Sequence, residues 1–110
     1  RWFTPASIEA DTPAVNKVRD MVRATDPVGH EGCCQALKKL AFGAELTGIQ
    51  VPTLILGGEL DKGAPVDVLA ETAAKIPGAK HVVIPGAGHI TALESPEVFQ
   101  RALDEFLVSL

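Results

Sequence analysis

Two short apolar runs, each followed by a helical pattern, constrain the fold of this chain more than any other feature. The first run, residues 53–56, is closed by Gly57 and Gly58, and the second covers residues 81–84. Continuous apolar runs of this length predict strands that are covered on both faces. The helical stretch between them is long enough for a crossover, which joins parallel strands and is right-handed in nearly all proteins. The sequence therefore predicts an α/β fold with a parallel sheet.

Each predicted strand leads into an amphipathic helix. Pro65 opens the first helix and Pro77-Gly78 stops it, whereas Ser95 is expected to cap the second and Pro96 to start it. One apolar stripe of each helix is expected to face inward, namely Val68, Leu69, Ala73 and Ile76 in the first helix and Phe99, Ala102, Leu103, Phe106 and Leu107 in the second. Two parallel strands are too few to stand alone, so more sheet must come from elsewhere.

The loops after the two predicted strands carry an acid and an imidazole. Asp61 ends the segment 58–61, and His89 ends the segment 85–89. Because neighbouring parallel strands lie about 4.8 Å apart and end at the same sheet edge, we expect the two side chains to hydrogen-bond. An acid and a histidine in this order are typical of two members of a hydrolase triad. The competing interpretations are an aspartate bonded to its own turn and a histidine satisfied by a backbone carbonyl.

The chain offers no convincing nucleophile for that pair. Ser7 lacks flanking glycines, Ser95 is expected to be a helix cap, and Ser109 lies in the terminal tail. Cys34 fits the pattern small-x-nucleophile-x-small, but a nucleophile elbow requires a strand running into the turn, and the preceding residues do not resemble a strand. A packed helical thiol is therefore the favoured interpretation of Cys34.

Metal, nucleic-acid and membrane functions are disfavoured. His30, Cys33 and Cys34 are candidate soft ligands, but no second pair follows at zinc spacing, so no metal and no cofactor is expected. His30 and His81 are expected to be ordinary surface or core histidines. The net charge is -4 without a cluster of Lys and Arg, and no apolar run approaches the ~20 residues of a membrane helix. The adjacent cysteines are expected to be reduced thiols of a cytoplasmic protein.

The first half of the chain has a helical pattern throughout. Asp11-Thr12-Pro13 predicts the start of one helix and Asp26-Pro27 the start of another. The expected inner positions are Val15, Val18, Met21 and Val22 in the first helix and Cys33, Ala36, Leu37 and Leu40 in the second. Near Ile49 the pattern becomes extended, which divides the chain into residues 1–48 and 49–110. Since the sequence starts without Met, we expect a fragment or a processed piece.

Several segments together resemble one known family. They are Arg1-Trp2-Phe3-Thr4-Pro5, Ala24-Thr25-Asp26-Pro27, Gly32-Cys33-Cys34-Gln35-Ala36-Leu37, Gly57-Gly58-Glu59-Leu60-Asp61 and Gly86-Ala87-Gly88-His89. In these segments the chain is similar to the C-terminal half of the 3-oxoadipate enol-lactonases, which are α/β-hydrolases. The resemblance implies that residues 1–48 form a helical cap segment and that residues 49–110 form the last two strands of the hydrolase core with their flanking helices.

The resemblance also implies roles for single residues. Asp61 would be the triad acid, His89 the base, Trp2 a cap contact to the substrate, and Arg1 a partner for the substrate's carboxylate. His30 stands where the family pattern has an aromatic residue. The family's oxyanion-hole loop and Gly-x-Ser-x-Gly elbow are absent, so the expected partner is a missing N-terminal half that supplies the serine, in the same polypeptide or as a separate chain.

The expected function is therefore hydrolysis of 3-oxoadipate enol-lactone, a small molecule of aromatic catabolism, by a Ser-Asp-His mechanism that needs no cofactor. The isolated chain is expected to be inactive. Two alternatives stay open at this point. One is another α/β-hydrolase, an esterase or a C–C bond hydrolase, because the Asp and His loops do not distinguish among these reactions. The other is a non-catalytic fragment that self-associates through the edge of the strand at residues 53–56.

Overall fold

Helices occupy the first part of the chain, and strands alternate with helices in the remainder. The computed structural model describes residues 2–110. In chain order the elements are α1 (Pro5–Glu9), α2 (Pro13–Ala24), α3 (Pro27–Leu37), a 3₁₀ helix (Phe42–Gly48), β1 (Leu54–Gly58), α4 (Val66–Lys75), β2 (Lys80–Ile84), α5 (Thr91–Glu94) and α6 (Pro96–Val108). The short helix α1, the 3₁₀ helix and α5 were not predicted from the sequence.

The two strands form a parallel pair, as the crossover pattern predicts. Leu54 of β1 lies opposite Lys80 of β2, and Gly58 lies opposite Ile84. The α/β fold is thereby confirmed in its topology. β1 runs on through Gly57 and Gly58, whereas the sequence predicts that these glycines close it, because the extended backbone of the pair continues to the point where the two following loops meet.

The core lies where α4 packs against both strands and at the end of β2. Ile84 is fully buried, and Ala73 and Ile76 near the end of α4 are only 8% and 6% exposed. The predicted stripe of α4 is thus buried at its C-terminal end, whereas Val68 near its start is half exposed. The stripe of α6 is partly buried except at Leu107, which is exposed.

Helix starts mostly follow the capping signals of the sequence. The Thr12 side chain accepts the backbone N–H of Val15, and Asp26 caps α3 in the same way. Ser95 stands at the start of α6 as predicted, but its side chain makes no capping hydrogen bond. The prediction of a Ser95 cap is wrong in this respect: the backbone of Ser95 has a ψ of 62°, whereas the capping residue Thr12 has the extended ψ of 154° that N-caps favour.

The predicted inner face of the second helix is wrong. Within the described chain, α3 contains no buried residue, and it ends at Leu37, which is 64% exposed. Leu40 lies beyond the helix and is also exposed. Helical periodicity marks an apolar face, but it does not show whether another element covers that face. Across residues 2–110, no helix combines the length and the apolar character that crossing a membrane requires.

Candidate active site

Both candidate side chains lie on loops at the carboxyl end of the strand pair. The backbone N–H of Glu59 donates to the carbonyl of Ile84 at 3.0 Å, and that of Leu60 donates to the carbonyl of Ala87 at 2.9 Å. These two bonds hold the loop after β1 against the loop after β2. The parallel topology therefore brings the Asp61 and His89 loops together, as the sequence predicts.

Gly58 permits the close approach of these loops. A Cβ atom at this position would lie 2.1 Å from the carbonyl oxygen of Gly88 and 2.4 Å from that of Ala87. Gly86, at the turn that follows β2, has a φ of 67°, which side chains with a Cβ rarely adopt. The absence of a side chain at residues 58 and 86 is thus a geometric requirement of the loop pair.

Asp61 and His89 form the predicted hydrogen bond. Nδ1 of His89 lies 2.8 Å from Oδ2 of Asp61. The other carboxylate oxygen accepts the backbone N–H of Gly63 at 2.7 Å and that of Ala64 at 3.1 Å. The Asp61 side chain is 4% exposed and the His89 side chain is 44% exposed. Asp61 is therefore at once bonded to its own turn and bonded to His89, so the two interpretations of this residue coexist.

The environment of Asp61 favours its ionised form. Burial raises the pKa of this carboxyl group, but the hydrogen bonds donated by His89 and by the Gly63 and Ala64 amides outweigh burial, and the pKa lies below its ordinary value of 3.8. A carboxylate that accepts the hydrogen bond from Nδ1–H selects the neutral tautomer with the proton on Nδ1. The same carboxylate stabilises the imidazolium when Nε2 is also protonated. With Nδ1 engaged, Nε2 is the nitrogen that is left to exchange a proton.

The serines of the chain lie away from this pair or are engaged elsewhere. Ser7 donates its hydroxyl to Glu94, Ser95 stands at the junction of α5 and α6, and the Ser109 hydroxyl donates to the Phe106 carbonyl. Within residues 2–110, none of these serines occupies a turn between a strand and a following helix. The side chains described here therefore offer no serine nucleophile to His89.

The other histidines and the cysteines have structural positions. Cys34 lies within α3, as predicted, with its Sγ 3.6 Å from Nε2 of His30, but it is only partly buried, so the prediction of a packed thiol is wrong. Cys33 is exposed and is not in a disulfide. His81 lies on β2, but its buried Nε2 has no hydrogen-bond partner within the described residues. The expectation that His81 is a satisfied core histidine is therefore not met.

Trp2 joins the first segment of the chain to the His89 loop through its backbone. Its carbonyl oxygen accepts the backbone N–H of His89 at 2.9 Å and that of Ile90 at 3.2 Å. The indole side chain is 48% exposed. The structure thus places Trp2 next to His89 in the chain's hydrogen-bond network, although the predicted contact with substrate stays a prediction.

An open apolar cleft lies beside Trp2. Its volume is about 630 Å³, and Trp2 lines it together with Val18, Val22 and Arg23 of α2. The wall is apolar except for the arginine side chains at α2. Arg1, the other predicted substrate contact, lies outside the described residues.

Glu94, at the end of α5, is a part of this region that sequence reasoning missed. Its Oε1 accepts the Thr4 N–H at 2.8 Å, the Thr4 hydroxyl at 2.8 Å and the Ser7 hydroxyl at 2.6 Å. Its Oε2 accepts the Gly88 N–H at 2.7 Å. Burial raises the pKa of Glu94, but these bonds outweigh burial and hold the pKa below its ordinary value of 4.5. No local pattern signals this contact, because Thr4 and Glu94 are 90 positions apart.

Comparison with known proteins identifies related sequences for most of the chain. Residues 13–96 match the family described as alpha/beta hydrolase fold. The chain is 30% identical over 96 residues to a pimeloyl-[acyl-carrier protein] methyl ester esterase of Legionella pneumophila strain Paris. The aligned stretch covers 84% of this chain and 40% of that protein. It is also 26% identical over 112 residues to 3-oxoadipate enol-lactonase 1 of Acinetobacter baylyi. That alignment covers 100% of this chain and 41% of the lactonase.

The three-dimensional similarity points to the same family. The crystal structure of the enol-lactonase from Burkholderia xenovorans LB400 superimposes with a TM-score of 0.92 at 31% identity, covering 98% of this chain and 41% of that one. The chain therefore spans about 40% of the length of the relatives that it matches. These relatives carry different hydrolase names, so the reaction class rather than the substrate is what they share. On the matched residues and the shared fold, this chain belongs to the α/β-hydrolase family.

Proposed function

We propose that this chain supplies the acid and the base of a Ser-His-Asp hydrolase that opens a lactone. The observation that carries the proposal is the 2.8 Å hydrogen bond between the enclosed Asp61 carboxylate and the exposed His89 imidazole. It lies at the strand ends, where α/β sheets place catalytic groups. The serine and the oxyanion hole belong, in this proposal, to a segment outside the chain. We call the protein that contains both parts the complete hydrolase.

The proposed reaction has two stages that share one base. Nε2 of His89 takes the proton of the serine hydroxyl as the serine attacks the lactone carbonyl. The ring C–O bond then breaks and the enol oxygen takes that proton. This enol stays part of the acyl group on the serine, so the product is a ring-opened acyl-enzyme, and the enol tautomerises to the ketone. Water attacks the acyl-enzyme while His89 again takes a proton, which it returns to the serine oxygen as the acid is released. Asp61 stays ionised throughout and stabilises the imidazolium in both stages.

The proposed substrate is 3-oxoadipate enol-lactone, in a cytoplasmic pathway. Similarity to the enol-lactonase of A. baylyi along the whole chain supports this choice. The cleft beside Trp2 supports it as well, because an apolar wall that includes Arg23, whose exposed ion pair with Asp20 is easily exchanged, suits a small ring that carries a carboxylate. In this proposal the Trp2 ring contacts the lactone, and Arg1 or Arg23 pairs with the carboxylate.

The test compares turnover of the acidic enol-lactone with turnover of a neutral aryl ester by the complete hydrolase. We expect the lactone to have the higher kcat/KM. Asp61→Asn should lower kcat by about 10⁴-fold, because the amide still accepts from Gly63 but presents an NH₂ group to Nδ1 of His89 and selects the wrong tautomer. Asp104→Asn on α6 is the matched control at an exposed position and should leave kcat unchanged. An unchanged kcat in Asp61→Asn would exclude the triad role.

A second candidate is esterase activity on a longer, neutral acyl chain. The 30% identity to the methyl ester esterase of L. pneumophila favours it. The same assay separates the two candidates, since a higher kcat/KM for the neutral ester would support the esterase. In either case the Asp61 and Asp104 variants should behave as stated above.

The native mass of the purified protein tests the proposed source of the serine. A species that contains a second, unlike polypeptide would support a hydrolase of two chains. A self-associated species of the 11.6 kDa chain without esterase activity would instead support the non-catalytic alternative.

A further inference from the structure

The Glu94 carboxylate connects two parts of the chain that are far apart in sequence. On one side it accepts three hydrogen bonds from Thr4 and Ser7, at the start of α1. On the other side it accepts the backbone N–H of Gly88, the residue that precedes His89. Thr4 is buried, with 6% of its surface exposed. One carboxylate therefore joins Thr4 and Ser7 to the loop that carries the proposed base.

Hydrogen bonds from three consecutive backbone amides hold the His89 loop in place. Gly88 donates its N–H to Glu94, and His89 and Ile90 donate theirs to the carbonyl of Trp2. Gly88 is packed so closely that an added Cβ would lie 2.8 Å from Oε2 of Glu94 and 3.2 Å from the Trp2 oxygen. The acceptors therefore lie directly against the main chain of the loop, with no room for a side chain between them.

Because the main chain is held on both sides of His89, the position of the His89 Cα atom, from which the side chain extends, is held as well. The ring must keep Nδ1 at 2.8 Å from Asp61 while Nε2 faces the reacting group. Asp61 holds only one end of the ring, so a loop that shifts would carry the other end away from its working position. A displacement of roughly 1 Å at a reacting group is enough to cost about 100-fold in rate.

We propose that Glu94 is a positioning residue, which sets the place of His89 by binding the Gly88 amide and anchoring it to Thr4 and Ser7. The inference rests on the proposed function, in which His89 is the base. Glu94 does not touch substrate in this proposal and exchanges no proton. It acts through the geometry of the His89 loop, so its removal should affect kcat more than KM.

Glu94→Gln tests this with almost no change of shape. The three bonds from Thr4 and Ser7 keep the amide oxygen at the Oε1 position, which puts the new NH₂ group against the N–H of Gly88. Two donors then face each other, and the loop must move. We expect kcat of the complete hydrolase on its best substrate to fall by about 10- to 100-fold, while KM changes by less than about threefold.

Two controls separate positioning from a general loss of stability. Ser7→Ala removes one bond to Oε1 but leaves the Gly88 bond, so its kcat should fall far less than that of Glu94→Gln. Ile76→Val trims a buried side chain of the core that does not belong to this network, and it should lower the unfolding temperature with kcat unchanged. Equal losses of kcat in all three variants would overturn the inference.

A readout without turnover distinguishes failure of this inference from failure of the proposed function. NMR hydrogen exchange of the Gly88 and His89 amides in the same samples should be at least about tenfold faster in Glu94→Gln than in Ser7→Ala. Unchanged exchange and unchanged kcat would overturn the role of Glu94 and leave the hydrolase proposal standing. Faster exchange in a protein that hydrolyses no ester or lactone would support the loop contact but refute its catalytic purpose.

Discussion

Replacing Gly58 with alanine should displace the His89 loop from Asp61. The new Cβ would lie 2.1 Å from the carbonyl oxygen of Gly88 and 2.4 Å from that of Ala87, and both are backbone atoms that cannot rotate away. Ordinary van der Waals contact begins at 3.4 Å. The loop must therefore retreat by roughly 1 Å, which should lower kcat of the complete hydrolase by about 100-fold. Overpacking of this kind should also cost about 1–3 kcal/mol of the free energy of unfolding.

The neighbouring glycine provides a matched control for this effect. A Cβ at Gly57 would lie 2.3 Å from Cδ1 of Leu69, the end of a flexible side chain, so the clash is relieved without moving the loop. A Cβ at Gly43 would meet no atom within 4 Å, so Gly43→Ala should leave kcat and the free energy of unfolding nearly unchanged. The assay is kcat together with urea denaturation for all three variants. If Gly58→Ala matched Gly57→Ala in kcat, the approach of the two loops would not control the geometry of the pair.

Three further predictions concern stability. Ile84→Ala should lower the free energy of unfolding by about 2–5 kcal/mol and Ile84→Val by about 0.5–1.5 kcal/mol in urea denaturation, because this side chain is fully buried; equal losses would contradict that. The pKa values of Asp61 and Glu94 are lowered in the folded chain, so both groups stabilise it above their ordinary pKa values of 3.8 and 4.5. Stability in a denaturation series should therefore fall as the pH drops through the lowered values, and a flat profile would count against the two hydrogen-bond networks. Asp26→Ala should remove the cap of α3 at a cost of about 1 kcal/mol, with a loss of helical circular dichroism; an unchanged spectrum and stability would contradict the cap.

The strand pair and the Asp61–His89 bond were predictable because both follow from local rules. Apolar runs at residues 53–56 and 81–84 mark strands, a helical crossover makes them parallel, and parallel strands end at one edge. The two side chains needed no more information than their positions after these runs. Their catalytic roles are a separate matter and rest on the proposed function.

The hydrogen bonds of Glu94 and the exposure of α3 were not predictable in the same way. These bonds depend on Thr4, which is 90 positions away from Glu94, and a single sequence carries no record of which distant residues meet. The apolar residues of α3 have a helical period whether or not another element packs against them, so Leu37 was wrongly placed on an inner face. Ser95 shows a third limit, since residue type predicts a cap but not the backbone conformation that the cap requires, and Ser95 has a ψ of 62°.

The carbonyl oxygen that Trp2 offers to His89 and Ile90 is a main-chain atom, and every amino acid has one. A mutation at position 2 therefore alters the wall of the cleft while leaving both of these bonds available. In the proposed function, the Trp2 side chain contacts the substrate and the Trp2 carbonyl supports the His89 loop, so selection can act on the side chain without loss of the two backbone bonds. Position 2 is accordingly a natural site for a saturation library aimed at new substrate range, whereas position 94 is one to leave unchanged.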